Sequence, residues 1–319
     1  MNPSTLHLVD RELRAGLDLL PPYELSAELL PFIRAQMDAV AAEPVNDGAD
    51  VDCEVLSAPV AAGGRVEIVT YRPRQVSGPL PAVLEIHGGG YVMGSARMSQ
   101  ALNRQRAVDA GCLVACVDYR LAPETRHPGP LEDCYAALTW LHREAGALGV
   151  DPTRTGVLGQ SAGGGLAAGL ALLARDRGEH HLAFQHLIYP MLDDRTAAAE
   201  PPPGRGEFVW TWAANRFGWS ALLGREPGAD DVPAYAAPAR AQDLAGLPPT
   251  FMYVGGLDLF LGEDLDYARR LMDAGVPVEL HVYPGAYHGF EIAAGARLAG
   301  QALGDSLDAL RRALHPTGA

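Results

Sequence analysis

Ser161 is the residue of this chain whose surroundings best fit a catalytic nucleophile. It lies in the pentapeptide Gly-Gln-Ser-Ala-Gly at 159–163, after an apolar run at 155–158 that predicts the end of a buried strand. The glycine-, alanine- and leucine-rich stretch 164–174 predicts a helix directly after it. A strand, a sharp turn flanked by glycines and a helix together form a nucleophile elbow, which holds a serine hydroxyl above a sheet and at a helix N-terminus. The pattern indicates an enzyme that attacks carbonyl groups.

A run of three glycines supplies a second part of the same chemistry. The apolar residues 81–86 predict a buried strand, and His87 and the glycines 88–90 follow it directly. Such a loop exposes backbone N–H groups, because glycine leaves no side chain in the way. With the N–H of Ala162, the residue after the serine, these donors could hold the oxyanion that forms when the serine attacks. For this stretch taken alone, an ordinary glycine-rich turn is the alternative.

An aspartate and a histidine follow two further predicted strands. Asp258 comes after the run 249–254, and His288 comes after the run 278–283 and before a long C-terminal helix. In doubly wound sheets, catalytic groups collect beyond the carboxyl ends of the strands. A helix-capping aspartate and a structural histidine are the alternatives. Four other acids compete with Asp258, although none follows so clear a strand: Asp193, Asp194, Asp230 and Asp231.

Taken together, these pieces resemble the hormone-sensitive-lipase-like esterases of the α/β-hydrolase fold, also called bacterial family IV esterases. Serine, aspartate and histidine come in the chain order of α/β-hydrolase triads. The combination of segments is specific to the family, whereas no single segment is. The matching segments are His87-Gly88-Gly89-Gly90, Asp-Tyr-Arg-Leu-Ala-Pro-Glu at 118–124, Ser161-Ala162-Gly163-Gly164, Tyr189-Pro190, Asp258 and His288-Gly289-Phe290.

The resemblance implies an α/β-hydrolase fold, with a mostly parallel eight-stranded sheet flanked by helices and a helical cap. It implies Ser161 as the nucleophile, His288 as the general acid and base, and Asp258 as the carboxylate that orients the histidine. The implied activity is that of a serine carboxylesterase, which hydrolyses short- to medium-chain acyl esters through an acyl-enzyme. The implied oxyanion donors are the N–H groups of Gly88, Gly89 and Ala162.

Three residues depart from the family pattern. Gln160 stands before the serine, where the family commonly has aspartate. Leu261 and Gly262 stand where the family often has an arginine–aspartate pair beyond the triad aspartate. None of the three is a triad member. We therefore expect them to alter hydrogen bonding around the elbow and substrate preference, and to leave the reaction class unchanged.

The N-terminal part of the chain predicts a cap. The stretches 6–20 and 27–42 show helical spacing of apolar residues, so residues 1–48 are expected to form an N-terminal helical cap segment. In residues 49–319, predicted strands and helices alternate, which is typical of an α/β domain and here marks the catalytic domain.

Aromatic residues are concentrated between 208 and 219, which has two interpretations. The cluster could be the packed core of a short helix, or a second cap segment near 197–222 that joins the N-terminal helices over the site. On the second interpretation Trp210 lines the substrate pocket, as does Tyr91 just past the three glycines.

The resemblance implies a small-molecule ester as the substrate, and charge and apolar patterning argue against several other partners. The net charge of −14 argues against nucleic acid and anionic membranes as partners. The longest apolar stretch, 163–174, is too short to span a bilayer, and residues 1–16 have no apolar signal core, so we expect a cytoplasmic protein. The sequence contains no nucleotide-binding loop and no zinc-ligand spacing, so neither a cofactor nor a metal ion is expected.

Three other functions stay open at this point. One is a non-catalytic binder, like the plant gibberellin receptors that share this fold and lack the triad histidine; His288 in its motif argues against it. A lipase is a second, and the sequence shows no long apolar lid. A peptidase or amidase would use the same triad. In addition, the strand at 278–283 is expected at a sheet edge, where pairing with a second copy would make a homodimer.

Overall fold

Strands and helices alternate through most of the chain, and the computed structural model describes residues 5–19, 25–43, 50–61, 63–76 and 78–316. The strands are β1 Val51–Pro59, β2 Arg65–Pro73, β3 Leu80–Ile86, β4 Leu113–Asp118, β5 Val150–Gln160, β6 Gln185–Ile188, β7 Thr250–Gly255 and β8 Val278–Tyr283. The helices are α1 Arg14–Leu17, α2 Leu30–Ala41, α3 Gln100–Ala110, α4 Gly129–Arg143, α5 Ala145–Leu148, α6 Ala162–Arg177, α7 Trp212–Leu223, α8 Leu261–Asp273 and α9 Arg297–Leu314. Short 3₁₀ helices lie at Thr5–Leu8, Asp194–Ala197, Pro238–Arg240 and Phe290–Ile292.

The eight strands form one mixed, mostly parallel sheet in the order β1-β2-β4-β3-β5-β6-β7-β8. Strand β2 pairs antiparallel with both β1 and β4, whereas β4, β3, β5, β6, β7 and β8 run parallel to one another. This arrangement confirms the predicted α/β-hydrolase fold. The predicted strand at 278–283 is β8, and it lies at the edge of the sheet as expected.

Two hydrophobic cores lie on the two faces of the sheet. Side chains of α4, α6 and α8 pack in one core, and side chains of α3 and α9 pack in the other. Strand β3 is buried at every residue, with Leu84 in the first core and Val83 in the second. A central strand that helices cover on both faces has a nearly continuous run of apolar residues. For this reason the sequence of 81–86 predicts a buried strand.

The N-terminal stretch 6–20 does not form the single helix that its apolar spacing predicts. It contains the 3₁₀ helix Thr5–Leu8 and the four-residue α1, and residue 20 lies outside the described residues. The reason is tertiary, because this segment makes its hydrogen bonds to the loop after β8. Asp10 N–H donates to the carbonyl of Gly285 at 3.1 Å, and the Tyr287 hydroxyl donates to the carbonyl of Leu13 at 2.9 Å.

The second predicted N-terminal helix, 27–42, is α2, which is anchored to loops of the catalytic domain. Arg34 donates to the carbonyls of Val92 and Ala122, at 2.7 Å in each case, and pairs with Glu124. Leu30 packs in a small apolar cluster with Val92 and Ala122, against which Phe217 of α7 also packs. The division of the chain at residue 48, and a cap made of 1–48 and 197–222, stay predictions, and residues 1–4, 20–24 and 44–49 lie outside the described residues.

The turn between β5 and α6 is packed backbone against backbone. A Cβ added to Gly159 would lie 2.1 Å from the carbonyl oxygen of Gly163, and one added to Gly163 would lie 2.0 Å from the carbonyl oxygen of Ile86. No real side chain makes contacts this short, and both oxygens belong to the backbone and cannot rotate away. The two glycines therefore let strand β3, the turn and helix α6 come together.

We predict that Gly163→Ala lowers the free energy of unfolding by about 2 kcal/mol or more, because the new methyl group forces a backbone shift in a packed region. The matched control is Gly304→Ala in α9, where a Cβ would meet nothing within 4 Å. That substitution should stabilise the protein by about 0.5–1 kcal/mol, since alanine is the better helix former. Urea unfolding measures both, and equal stabilities for the two variants would contradict the prediction.

Candidate active site

Ser161 occupies a strained backbone conformation between β5 and α6. Its φ of 58° and ψ of −120° lie outside the regions that residues with a side chain usually adopt. Two hydrogen bonds with the chain at and beyond the end of β6 hold it there. Ser161 N–H donates to the carbonyl of Ile188 at 2.9 Å, and Met191 N–H donates to the carbonyl of Ser161 at 2.9 Å. Strain of this kind is kept where the surrounding structure enforces it, typically at functional sites.

The three predicted residues Ser161, His288 and Asp258 form one hydrogen-bonded chain. His288 Nε2 lies 2.9 Å from Ser161 Oγ, and His288 Nδ1 lies 2.8 Å from Asp258 Oδ2. A neutral imidazole with its proton on Nδ1 donates to the aspartate and accepts from the serine hydroxyl. Asp258 is fully buried, and its other oxygen accepts from Phe260 N–H at 2.9 Å. The arrangement suits a serine whose proton can move to the histidine.

Three aromatic side chains surround the His288 imidazole. Tyr189 meets it edge-on, with ring centroids 4.6 Å apart, and Phe260 does so at 5.2 Å. The indole of Trp210 lies at 6.3 Å. His288 is therefore buried against apolar ring surface, which fixes the plane of the imidazole and keeps water from most of it.

The loop of three glycines runs directly beside the serine. A Cβ added to Gly88 would lie 3.4 Å from Ser161 Cβ, and one added to Gly90 would collide with the Trp210 indole. Gly89 has a φ of 115°, in the region that favours glycine. Ala162 begins α6, so its N–H has no acceptor within the helix. Gly88 thus lies beside the serine with Gly89 next to it in the chain, and Ala162 directly follows the serine.

The side chain of His87 holds the loop of three glycines in place. It is buried, and its Nδ1 donates to the carbonyl of Gly88 at 2.8 Å while its ring stacks on Tyr119 at 4.3 Å. Burial lowers the pKa of His87, which favours the neutral imidazole. A neutral ring with its proton on Nδ1 holds the loop without placing a positive charge beneath it.

Of the two predicted pocket residues, Trp210 lies next to the site and Tyr91 does not line it. Trp210 packs on the backbone of Gly90, and its Nε1 donates to Asn215 Oδ1 at 3.2 Å. Tyr91 differs from the prediction, because it is fully buried in the core and its hydroxyl donates to the carbonyl of Met191 at 3.0 Å. A φ of 67° at Tyr91 turns the side chain inward, which its place in the sequence could not reveal.

Three of the four acids that competed with Asp258 form ion pairs elsewhere, and the fourth lies at the surface. Asp194 is buried and forms an ion pair with Arg240 at 2.6 Å, which ties the segment after β6 to the segment before β7. Asp193 pairs with Arg195 two residues along the chain. The others lie at the surface: Asp231, paired with Arg225, and Asp230.

The residues around the site that the sequence did not single out are Phe260, Glu291 and Val209, and Tyr189 was noted only as part of a motif. Glu291 accepts hydrogen bonds from the hydroxyls of Tyr189 and Tyr253. Val209 is partly exposed and has a φ of 63°, an outlier for a β-branched residue. None of these roles has a sequence signal, since each depends on contacts between distant segments.

Among the described residues, no group of three or more His, Cys, Asp or Glu side chains is arranged to hold a metal ion. A search of the same residues for helices that are long and apolar enough to cross a bilayer finds none.

Comparisons with known proteins agree with this fold. A family described as having the alpha/beta hydrolase fold matches residues 83–292. Carboxylesterase NlhH of Mycobacterium tuberculosis is 35% identical over 90% of this chain and 85% of its own length. The ethyl acetate hydrolase of Pseudomonas putida is 34% identical over 89% of each chain. A solved structure named Bacterial Heroin Esterase has a TM-score of 0.90 and 42% identity, covering 98% of this chain and all of its own.

Proposed function

The chain belongs to the hormone-sensitive-lipase-like esterases of the α/β-hydrolase fold, and from this premise we propose that it is a serine carboxylesterase whose triad is Ser161, His288 and Asp258. Carboxylic ester hydrolysis is the activity that its relatives' names support. One observation carries the assignment of residues, namely the unbroken hydrogen-bonded chain from Ser161 Oγ through both nitrogens of His288 to the buried Asp258.

In the first half of the proposed reaction, Ser161 Oγ attacks the ester carbonyl while His288 Nε2 takes the hydroxyl proton. The 2.9 Å between these atoms is within the reach that proton transfer needs. The carboxylate of Asp258 keeps the Nδ1 proton in place and stabilises the imidazolium that forms. His288 then gives its proton to the leaving alcohol, and the acyl group stays on the serine.

The oxyanion of the tetrahedral intermediate accepts, in this proposal, from the N–H groups of Gly88, Gly89 and Ala162. Support comes from the close approach of Gly88 to the serine and from the position of Ala162 at the start of α6. The helix dipole favours negative charge at that point. Each such donor lowers the barrier by roughly 3–4 kcal/mol, because the N–H is already in place and its hydrogen bond strengthens as negative charge develops on the oxygen.

In the second half, water replaces the alcohol. His288 takes a proton from the water, whose oxygen attacks the acyl-enzyme carbonyl, and then returns a proton to Ser161 Oγ as the carboxylic acid leaves. The products are one acid and one alcohol, and the enzyme returns to its starting state. Each step needs only the triad, the oxyanion donors and water.

We propose short- to medium-chain acyl esters as substrates. The bulk of Trp210, packed on Gly90 and 6.3 Å from the His288 ring, stands next to the reacting atoms and limits the space there. Val209, held at a strained φ of 63° beside it, offers a second apolar surface. The ethyl acetate hydrolase, which is similar along most of its length, is named for a short ester.

Two further expectations stay predictions. One is a cytoplasmic location. The other is a homodimer that pairs through β8, for which the place of that strand at the sheet edge is the support.

We predict that hydrolysis of p-nitrophenyl esters, from acetate to palmitate, is fastest at the short end and falls about 10⁶-fold in kcat with Ser161→Ala, since that variant has no nucleophile. Initial rates across the series measure both points. Amide substrates run in parallel separate an esterase from an amidase, and emulsified long-chain glycerides separate it from a lipase. A folded wild type that hydrolyses none of the esters would favour a binding protein.

For Asp258→Asn we predict a loss of about 10⁴ in kcat with little change in the unfolding curve, because the asparagine amide favours the wrong imidazole tautomer. Asp193→Asn is the matched control, since Asp193 is another acid that follows a parallel strand but pairs with Arg195. Its kcat should stay within about twofold of wild type. Near-wild-type turnover by the Asp258 variant would assign the carboxylate role to a different acid.

For Trp210→Ala we predict that the ratio of kcat/KM for the octanoate ester to that for the acetate ester rises at least about fivefold, since removing the indole opens space beside the serine. The ratio is independent of how much of each preparation is folded. Trp212→Ala is the control, because the Trp212 ring faces Arg216 on α7. An unchanged ratio in the Trp210 variant would remove this residue from the pocket wall.

A further inference from the structure

A line of hydrogen bonds joins the residue before the nucleophile to a residue that follows the histidine. Gln160 Nε2 lies 2.5 Å from the Tyr189 hydroxyl oxygen. The Tyr189 hydroxyl lies 3.2 Å from Glu291 Oε2, and the other oxygen of Glu291 accepts from the Tyr253 hydroxyl. Four side chains thus meet at the Tyr189 hydroxyl and the Glu291 carboxylate. They come from β5, the end of β6, β7 and the 3₁₀ helix after His288.

The directions of these hydrogen bonds follow from what each group can donate. An ionised Glu291 accepts only, so each tyrosine hydroxyl gives it its single proton. The Tyr189 oxygen must then receive its second hydrogen bond from a donor, and the Gln160 amide supplies an N–H. A carboxylate in place of Gln160 could not do so, because two carboxylates would then compete for one phenol proton.

Tyr189 transmits this arrangement to His288. Its ring meets the imidazole edge-on with centroids 4.6 Å apart, and Phe260 packs edge-on at 5.2 Å. The backbone of Tyr189 has a φ of 33°, which is unusual for a residue with a side chain, and its N–H donates to the carbonyl of Tyr253 at 2.7 Å. The phenol is thus held at its backbone and at its hydroxyl, and its ring limits how far the imidazole can tilt.

We propose that Glu291 is a positioning residue for His288, acting together with Gln160 through the Tyr189 ring, and that its carboxylate adds a second negative charge that favours the imidazolium during acylation. The inference rests on the proposed triad. It also explains the departure at Gln160, since an amide there and a carboxylate at 291 form a matched pair around one phenol.

Few titratable groups of the described residues interact with the Glu291 carboxylate. The titratable groups that its charge reaches are the hydroxyls of four tyrosines and the His288 imidazole, with Asp258 beyond the histidine; the tyrosines are Tyr189, Tyr253, Tyr283 and Tyr287. Burial raises the pKa of Glu291, while the Tyr253 hydrogen bond and a charged His288 lower it. The attraction between the two charges is mutual, so an ionised Glu291 stabilises the imidazolium that forms in the proposed reaction.

The test exchanges the carboxylate and the amide that flank the Tyr189 hydroxyl, at positions 291 and 160. Glu291→Gln should lower kcat about tenfold, leave KM within about twofold, and move the acid limb of the kcat/KM profile to lower pH by at least roughly half a unit, because a negative charge near the imidazolium is lost. Gln160→Glu alone should also lower kcat, since two carboxylates then face one phenol. The double variant, which moves the carboxylate to the other side of Tyr189, should recover at least about threefold over Glu291→Gln.

Two further variants distinguish a loss of His288 positioning from a general loss of folded enzyme. Glu279→Gln on β8 removes a carboxylate that pairs with Arg312, and it should leave the kcat and the pH profile unchanged. Tyr189→Phe keeps the ring and removes only the hydroxyl, so it should lower kcat about threefold even if Glu291→Gln folds poorly. Rates are expressed per Ser161 labelled by a fluorophosphonate, which counts correctly folded sites.

The outcomes are distinct. A Glu291→Gln variant with wild-type kcat and an unmoved acid limb would overturn the inference, as would effects of the two exchanges that simply add, because a shared phenol requires them to be coupled. Labelling at Ser161 in all variants leaves the proposed triad standing in those cases. Failure of the label at Ser161, with activity in Ser161→Ala, would instead overturn the triad and the inference with it.

Discussion

The strained turn at Ser161 is the constraint on which the site depends. A residue with a side chain holds a φ of 58° there only because the carbonyl of Ile188 and the N–H of Met191 bond its backbone on one side, while glycines let β3 and α6 approach on the other. The strain lifts the hydroxyl out of the sheet and sets it at the N-terminus of α6. If this turn relaxed, Ser161 Oγ would move away from both His288 and the proposed oxyanion donors.

The rest of the site is arranged so that His288 has one orientation. Asp258 bonds one nitrogen, the serine bonds the other, and rings close around the imidazole. Burial makes each of these interactions stronger than it would be in water. In the proposed reaction His288 takes a proton and returns it twice per turnover, and a fixed orientation favours both transfers because they need the same geometry.

Much of the site could be predicted from the sequence, because its parts are local patterns of strand, turn and helix. The elbow, the three glycines, Asp258 and His288 each follow a buried strand, and the parallel sheet brings the ends of those strands to one edge. Features that depend on distant contacts could not be predicted. The segment 6–20 forms no single helix because its backbone bonds the loop after β8, and Tyr91 faces the core because its φ is positive. The meeting of Gln160 with Glu291 through Tyr189 has no local signal at all.

The most direct test of the proposed nucleophile and oxyanion donors is the structure of the enzyme after reaction with a small p-nitrophenyl phosphonate, which mimics the tetrahedral intermediate. We predict that the phosphorus is bonded to Ser161 Oγ and to no other residue. We also predict a phosphoryl oxygen within about 2.7–3.1 Å of the backbone nitrogens of Gly88, Gly89 and Ala162. A phosphonate on another residue, or a phosphoryl oxygen turned to solvent and away from those nitrogens, would contradict these predictions.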